Sequence, residues 1–264
     1  MTEFLYDKSS LVIALVLMLL MAIALHAGNW LGRRSDIKNC EPCKEQINTV
    51  QSSLLGILAL MLGFSFSIAL DRYNSRSEAV LEEANAIGTA YLRTDLLAEP
   101  YQHNVKKLFG DYIETRLHEA ELNLAQQGDR ADILKASESL QQQIWQQAMQ
   151  AAKLDANPVT SGLFVQALND AIDAYGKRLS ELDRHIPELV LLMLYAAFLV
   201  TGGMIGYSAG LTENRPSKAI YLMGIVVALL MYLVIDLDRP RRGLVQVNQA
   251  PMLSLRSMLN NTPQ

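Results

Sequence analysis

The two cysteines of the chain, Cys40 and Cys43, form a C-x-x-C pair in the segment NCEPCKE. Such a pair can be a redox dithiol, half of a zinc site or a local disulfide. A redox motif is expected beside a βαβ pattern, which is absent here, and zinc would need two further ligands that the surrounding loop lacks. We favour a disulfide across Glu41-Pro42 if the loop faces an oxidising compartment, and keep a thiol-linked membrane enzyme as an alternative.

Other sequence motifs for catalysis or ligand binding are sparse. The four histidines are scattered, and no glycine-rich phosphate loop follows a strand. The net charge of −4 arises mainly between the second and third uncharged stretches, so the sequence has no basic footprint for nucleic acid. These observations predict a protein that is not an enzyme, with no cofactor, no metal site and no nucleic-acid partner.

A long helix organises the rest of the chain. Glu45 and Asp71 bracket an uncharged run that is long enough, as a helix, to cross a hydrocarbon layer of about 30 Å. No proline and no turn cluster follows Leu70, so the helix is expected to continue to the break at Glu99-Pro100. One rod, from Gln46 to Leu97, therefore joins the membrane to a segment outside it.

Three further runs have the length and composition of membrane spans. The first is too long for a secretory signal peptide, which we considered as the alternative. The sequence thus predicts an all-α integral membrane protein with four transmembrane helices and a cytoplasmic helical bundle inserted between the second and third. Its spans are Ser9–Gly32, 46–70, Leu189–Thr212 and Ala219–Ile235, and its domains are 9–70, 71–187, 188–236 and 237–264. Turn signals at Glu99-Pro100, Gln127–Asp129 and Asn157-Pro158 cut the bundle into about four helices.

Small residues recur along the second helix in a three-then-four spacing that places them on one stripe. The stripe is Ser52, Gly56, Ala59, Gly63 and Ser67. Such a stripe favours close packing against another helix, and the alternative is a pore constriction, in which apolar rings and hydroxyl groups face the ions. The pore-lining candidates are Gly63, Phe64, Ser65, Phe66, Ser67 and Asp71. Glycines Gly202, Gly206 and Gly210 of the third span predict close packing against a neighbouring helix.

Two clusters of polar residues lie outside the spans. The first is an internal ion-pair network of the bundle or, alternatively, the lining of an ion vestibule. Its members are Glu82, Glu83, Asn85, Thr89 and Arg93. The second follows the fourth span, where arginines anchor the end of the helix and clamp acidic groups or, alternatively, extend to lipid phosphates. Its members are Asp236, Asp238, Arg239, Arg241 and Arg242.

The segments GFSFSIALDRY, EEANAIGTAYLR and DLDRPRRGLVQV resemble the bacterial bestrophin-like membrane proteins, over Gln51 to about Leu255. More distantly, the order of spans is similar to that of the bestrophin channels. That resemblance implies a homo-oligomer, a pentamer by analogy, in which Phe64 and Phe66 line a pore for inorganic ions. Bestrophins bind calcium after the fourth span, but the arginines of IDLDRPRRG oppose a divalent ion there.

Function and placement follow as expectations. We favour a homo-oligomeric ion channel or channel-like pore in the lipid bilayer, and the alternative is a non-conducting scaffold or signal-coupling protein. Basic residues near the span ends favour a bacterial inner-membrane protein with its amino terminus, bundle and carboxyl terminus in the cytoplasm.

Overall fold

A computed structural model describes residues 10–121, 127–212, 218–239 and 245–261, and within these ranges every regular element is a helix. Short 3₁₀ turns at Asp36–Asn39 and Thr94–Leu96 follow the first and second α-helices. The α-helices are α1 (Ser10–Arg34), α2 (Glu41–Arg93), α3 (Tyr101–Glu121), α4 (Gln127–Leu154), α5 (Ser161–Asp183), α6 (Glu188–Leu211), α7 (Lys218–Asp238) and α8 (Ala250–Asn261).

Four helical stretches of the described residues are long and apolar enough to cross a membrane. They are Leu11–Arg34, Glu41–Leu96, Ser161–Leu211, which includes α6, and Lys218–Asp238. Each contains at least the roughly 20 residues that a helix rising about 1.5 Å per residue needs to cross the hydrocarbon layer of a bilayer. The predicted all-α class and the four candidate spans are confirmed.

The chain divides into two compact units, and α2 contributes its first part to one unit and its last part to the other. The first, here called the membrane unit, is Met1–Arg72, His185–Arg239 and Gly243–Val245. The second, here called the bundle unit, is Tyr73–Arg184, Pro240–Arg242 and Gln246–Gln264.

Glycines bring α1 and α6 together in the membrane unit. A Cβ atom on Gly206 would collide with the Leu25 carbonyl, and one on Gly210 would collide with the Asn29 carbonyl. Gly202 likewise leaves room only for the Met21 side chain. The predicted close packing of the α6 glycines is confirmed, and α1 is their partner.

The bundle unit has a continuous apolar core. Its residues recur along the helices at spacings of three and four, as on the inward faces of amphipathic helices. They include Val80, Ala84, Ile87, Tyr91, Phe109, Tyr112, Leu117, Ile144, Ala148, Phe164 and Leu168, with Met252 and Leu255 added from α8. This core connects the second half of α2 to α3, α4, α5 and α8.

Two predicted boundaries were wrong. Helix α2 begins at Glu41 and so includes Cys43. Pro42 is compatible with a first helical turn, because the N–H groups of that turn have no helical carbonyl to bind and the N–H that proline lacks is not missed. Helix α4 begins at Gln127, so 127–129 are helical; glycine is tolerated and an acidic residue favoured in a first turn. Helix α7 continues beyond the predicted span Ala219–Ile235 and ends at Asp238.

Candidate functional site

Helix α2 leaves one face uncovered by the other described residues. Ser52, Gly56, Ala59, Gly63 and Ser67 are all exposed along it. A Cβ atom on Gly56 or Gly63 would meet no atom within 4 Å. The close contact predicted for this stripe is therefore not made inside the described part of one chain. We call this stripe, together with Phe64 and Asp71, the α2 open face.

The six pore-lining candidates do not share that face. Successive helical residues are rotated by about 100°, so a run of five consecutive residues must surround the axis. Phe64 is 62% exposed, whereas Ser65 is 1% exposed. Phe66 is half-buried, and Gly63, Ser67 and Asp71 are exposed. The Ser65 side chain lies on the opposite, buried face of the helix and is not part of the α2 open face.

The buried face of α2 holds the helix in the membrane unit. Leu58, Leu62, Ser65 and Ala69 follow one another at spacings of four, three and four, and all are buried. One polar contact accompanies them, since Ser208 of α6 donates its hydroxyl to Asn48 Oδ1 at 3.0 Å. The α2 helix thus has one face buried in its own chain and one face that the other described residues leave exposed.

Ser208 also belongs to a motif that the sequence reasoning overlooked. The segment GYSAG of α6 spells G-x-S-x-G. A nucleophile elbow places that serine on a sharp turn between a strand and a helix. Here the five residues lie inside α6, and the flanking Gly206 and Gly210 contact α1. The motif is a helix-packing element in this fold.

A buried ion-pair network joins α2, α3 and α5 in the bundle unit. The Glu83 carboxylate accepts from Arg116 Nε at 2.7 Å and from Arg178 Nη1 at 2.5 Å. Arg116 also pairs with Glu119. All four side chains are almost completely buried. Two carboxylates therefore balance two guanidinium groups inside the core, as a buried charge requires.

These contacts change the acidity of the groups. Burial favours a neutral Glu83, but Arg116 and Arg178 outweigh burial and hold the pKa of that carboxyl below its ordinary value. Burial raises the pKa of Tyr112, and the Glu83 charge raises it further. Burial opposes the charge of Arg116, yet Glu83 raises the pKa of that guanidinium overall. Glu83 is consequently ionised at neutral pH and is not a proton donor.

The five network or vestibule candidates separate into different environments. Glu83 lies in the buried network, while Glu82 pairs with Lys177 at 2.5 Å on a half-exposed surface. Arg93 donates Nη1 to the Leu163 carbonyl at 3.0 Å. Asn85 and Thr89 are exposed and line a groove beside α8. The internal-network interpretation therefore fits Glu83, and the vestibule lining stays a prediction.

The sequence reasoning did not assign Arg116 and Arg178 to the network. A signal for Arg116 was present, because it follows Tyr112 by four residues and Ile113 by three, on the apolar stripe of α3. A charged residue on such a stripe needs a buried partner. Its distance of 33 residues from Glu83 gave no indication of which carboxylate that partner is.

At the end of α7, two buried carboxylates bind backbone amides. Asp238 accepts from the Ile186 N–H with both oxygens at 3.1 Å. Asp236 Oδ2 accepts from the Val245 N–H at 3.0 Å. Arg239 is buried beside them. The other two arginines of the predicted clamp, Arg241 and Arg242, lie outside the described residues. Within the described ranges, no three His, Cys, Asp or Glu residues are grouped to hold a metal ion.

The cysteine pair forms a disulfide at the start of α2, with the two Cα atoms 5.3 Å apart. Cys40 directly precedes the helix and Cys43 is its third residue. Both residues are half-exposed. The bridge is therefore accessible from outside the chain.

Together these features describe a helical fold with four stretches long and apolar enough to cross a membrane, in which the other described residues leave one face of α2 open. The model of the Bestrophin-like domain matches residues 12–252, which is most of the sequence. The chain therefore belongs to the Bestrophin-like domain family, and the resemblance of its α2 and post-α7 segments is confirmed.

A solved structure adds support for the fold. The crystal structure of a membrane protein aligns over 95% of this chain and 97% of its own, with 12% identity and a TM-score of 0.60. At that identity the similarity concerns the fold alone. No curated protein matches this sequence.

Proposed function

We propose that the protein is a homo-oligomeric, channel-like pore in which the α2 open faces of several copies surround the axis. The observation that carries this proposal is the asymmetry of α2: Leu58, Leu62, Ser65 and Ala69 are buried, while the glycine and serine stripe is exposed, and a Cβ atom on Gly56 or Gly63 would meet no described atom within 4 Å. Membership of the Bestrophin-like family fits a channel-like membrane protein. In this proposal the chain conducts inorganic ions and catalyses no reaction.

The exposed faces of the other spans differ in composition from the α2 open face. Helix α1 exposes Leu11, Leu15, Leu19 and Ile23, the large aliphatic side chains that suit acyl chains. The α2 open face instead places Ser52, Ser67 and two glycines beside the bulky Phe64. Hydroxyl groups next to an apolar ring can pass hydrated ions and close by dewetting. Leu60, exposed beside the stripe, would add a second apolar ring.

The placement of the protein is part of the proposal. We place the amino terminus, the bundle and the carboxyl terminus on the cytoplasmic side of a bacterial inner membrane, following the distribution of basic residues. Five copies are proposed by analogy with the bestrophin channels.

The test is a paired measurement on the full chain in lipid. Chemical crosslinking in liposomes should give a ladder that ends at a fixed multimer, and the same liposomes should dissipate a K⁺ gradient. Phe64→Ala should increase the flux, because it widens an apolar constriction. The matched control is Leu15→Ala, an exposed position of α1 that is expected to face lipid. A fixed multimer without flux would support the scaffold instead, and a monomer would contradict both functions.

A further inference from the structure

The disulfide at the start of α2 joins residues that the backbone already holds. The Cys40 N–H donates to the Ile37 carbonyl at 3.1 Å, and the Cys40 carbonyl accepts from the Lys44 N–H at 3.1 Å. Disulfides stabilise mainly by closing long loops of the unfolded chain, and this one closes a loop of only four residues. The bridge therefore contributes little to the stability of the fold.

The position of Cys40 favours a thiolate. Cys40 is the N-cap of α2, since its carbonyl accepts the first helical hydrogen bond. The N–H groups of Glu41 and Cys43 belong to the first turn, where no helical carbonyl is available to them, and the partial positive charge of the helix terminus adds to their effect. The neighbouring Glu41 carboxylate is paired with Lys44 at 2.7 Å, so its repulsion of an anion is reduced. Helix N-termini and C-x-x-C pairs both favour the thiolate form of a cysteine, and Cys40 combines the two.

We propose that Cys40 and Cys43 form a reversible thiol–disulfide exchange site that reacts with a dithiol, and that Cys40 is the sulfur that forms the mixed disulfide. The proposal is independent of ion conduction. It concerns the half-exposed bridge and assigns no role to the α2 open face.

The exchange conserves atoms and electrons. One thiolate of the dithiol attacks the Cys40 sulfur, the bond between the two cysteines breaks, and Cys43 leaves as a thiolate that takes a proton. The second thiolate of the dithiol then attacks the mixed disulfide, releases Cys40 as a thiolate and leaves the dithiol as a disulfide. Two electrons pass from the dithiol to the pair. In the reverse direction the Cys40 thiolate attacks, and Cys43 resolves the mixed disulfide.

Two single-cysteine variants of the full chain in lipid test this assignment. Cys43→Ser leaves Cys40, and Cys40→Ser leaves Cys43, so the two thiols can be compared in one protein. The rate of alkylation by a maleimide is measured against pH for each. We expect the midpoint for Cys40 to lie about one pH unit or more below that for Cys43, within the range seen for thiols at helix N-termini. Equal midpoints, or a lower midpoint for Cys43, would overturn the assignment.

A second experiment uses oxidised glutathione as the probe and mass spectrometry as the readout. The reduced Cys43→Ser variant should accumulate a glutathione adduct, while reduced wild type should end with the internal bridge and no lasting adduct. The Cys40→Ser variant should form its adduct several-fold more slowly. Equal adduct formation by the two variants, or a wild-type bridge that dithiothreitol does not reduce in the folded protein, would show a purely structural disulfide.

Discussion

One carboxylate, that of Glu83, stabilises two buried guanidinium groups in the bundle unit. Glu83→Gln keeps the shape of the side chain but removes its charge. Arg116 and Arg178 would then share a neutral partner in a buried site. Breaking a buried pair in this way commonly costs about 3–5 kcal/mol. We expect the thermal unfolding midpoint of the purified protein in detergent to fall by several degrees.

The neighbouring residue is the matched control for this change. Glu82→Gln also removes one carboxylate from α2, but its partner Lys177 is exposed and remains hydrated. Surface pairs of this kind contribute little to stability. If the two variants unfold at the same temperature, the buried network is not a source of stability.

The same carboxylate makes the bundle sensitive to acid. Its pKa in the folded chain is lower than in the unfolded chain, because the two arginines outweigh burial. The stabilisation is therefore complete above the ordinary carboxyl pKa of about 4.3 and is lost as the pH falls through the lower folded-state value. Unfolding temperatures of wild type should fall across that window, and those of Glu83→Gln should fall less. Parallel curves for the two proteins would contradict this linkage.

At the scale of elements, two glycine stripes with similar spacing have opposite surroundings. Gly206→Val would force a side chain into the α1 backbone, and overpacking of this kind commonly costs about 1–3 kcal/mol. Gly63→Val meets open space within the chain, so the fold should tolerate it. We expect the first variant to lower the unfolding temperature in detergent and the second to leave it unchanged. A destabilised Gly63→Val monomer would place another element against the α2 open face.

Ion flux should respond to Gly63→Val even though the fold tolerates the change. If copies of α2 face one another, the added methyl groups at residue 63 lie at the axis. Gly63→Val should then reduce K⁺ flux in liposomes while the fold stays intact. Unchanged flux would place Gly63 away from the conduction path.

Much of the architecture could be predicted from sequence because it depends on local rules. Uncharged runs give the spans, and the prolines at residues 100, 158 and 187 interrupt the helices where the structure does. Gly128 was interpreted as part of a turn, but glycine occurs both in turns and in first helical turns. The role of the α6 glycines was predictable from their spacing alone.

The candidate site was less predictable because it depends on distant partners. The sequence indicates that Glu83 lies on a crowded polar stretch, but Arg178 is 95 residues away from it. Asp238 accepts from the Ile186 amide, a backbone group that no side-chain pattern reveals. The separation of Ser65 from Phe64, in contrast, follows from helical rotation and could have been derived.

At the scale of the whole molecule, the open face carries a single charged residue. Asp71 is exposed near one end of the α2 span, and a ring of such carboxylates would concentrate cations at the mouth of the pore. Asp71→Lys should therefore move the reversal potential, measured in asymmetric KCl, toward the chloride equilibrium value. Asp170→Lys, at an exposed position of α5, is the control and should leave the potential unchanged. A shift of equal size in both variants would point to surface charge in general.

The central claim is that the α2 open face lines a conduction path, and thiol accessibility tests it most directly. Ser67→Cys and Ser65→Cys are introduced separately into a Cys40→Ser, Cys43→Ser chain, and currents are recorded in planar bilayers during addition of a charged methanethiosulfonate reagent. Ser67 is exposed and Ser65 is 1% exposed, two residues apart on one helix. The account predicts rapid block of the Ser67→Cys current and none for Ser65→Cys. Block of Ser65→Cys alone, or block of neither conducting variant, would contradict it.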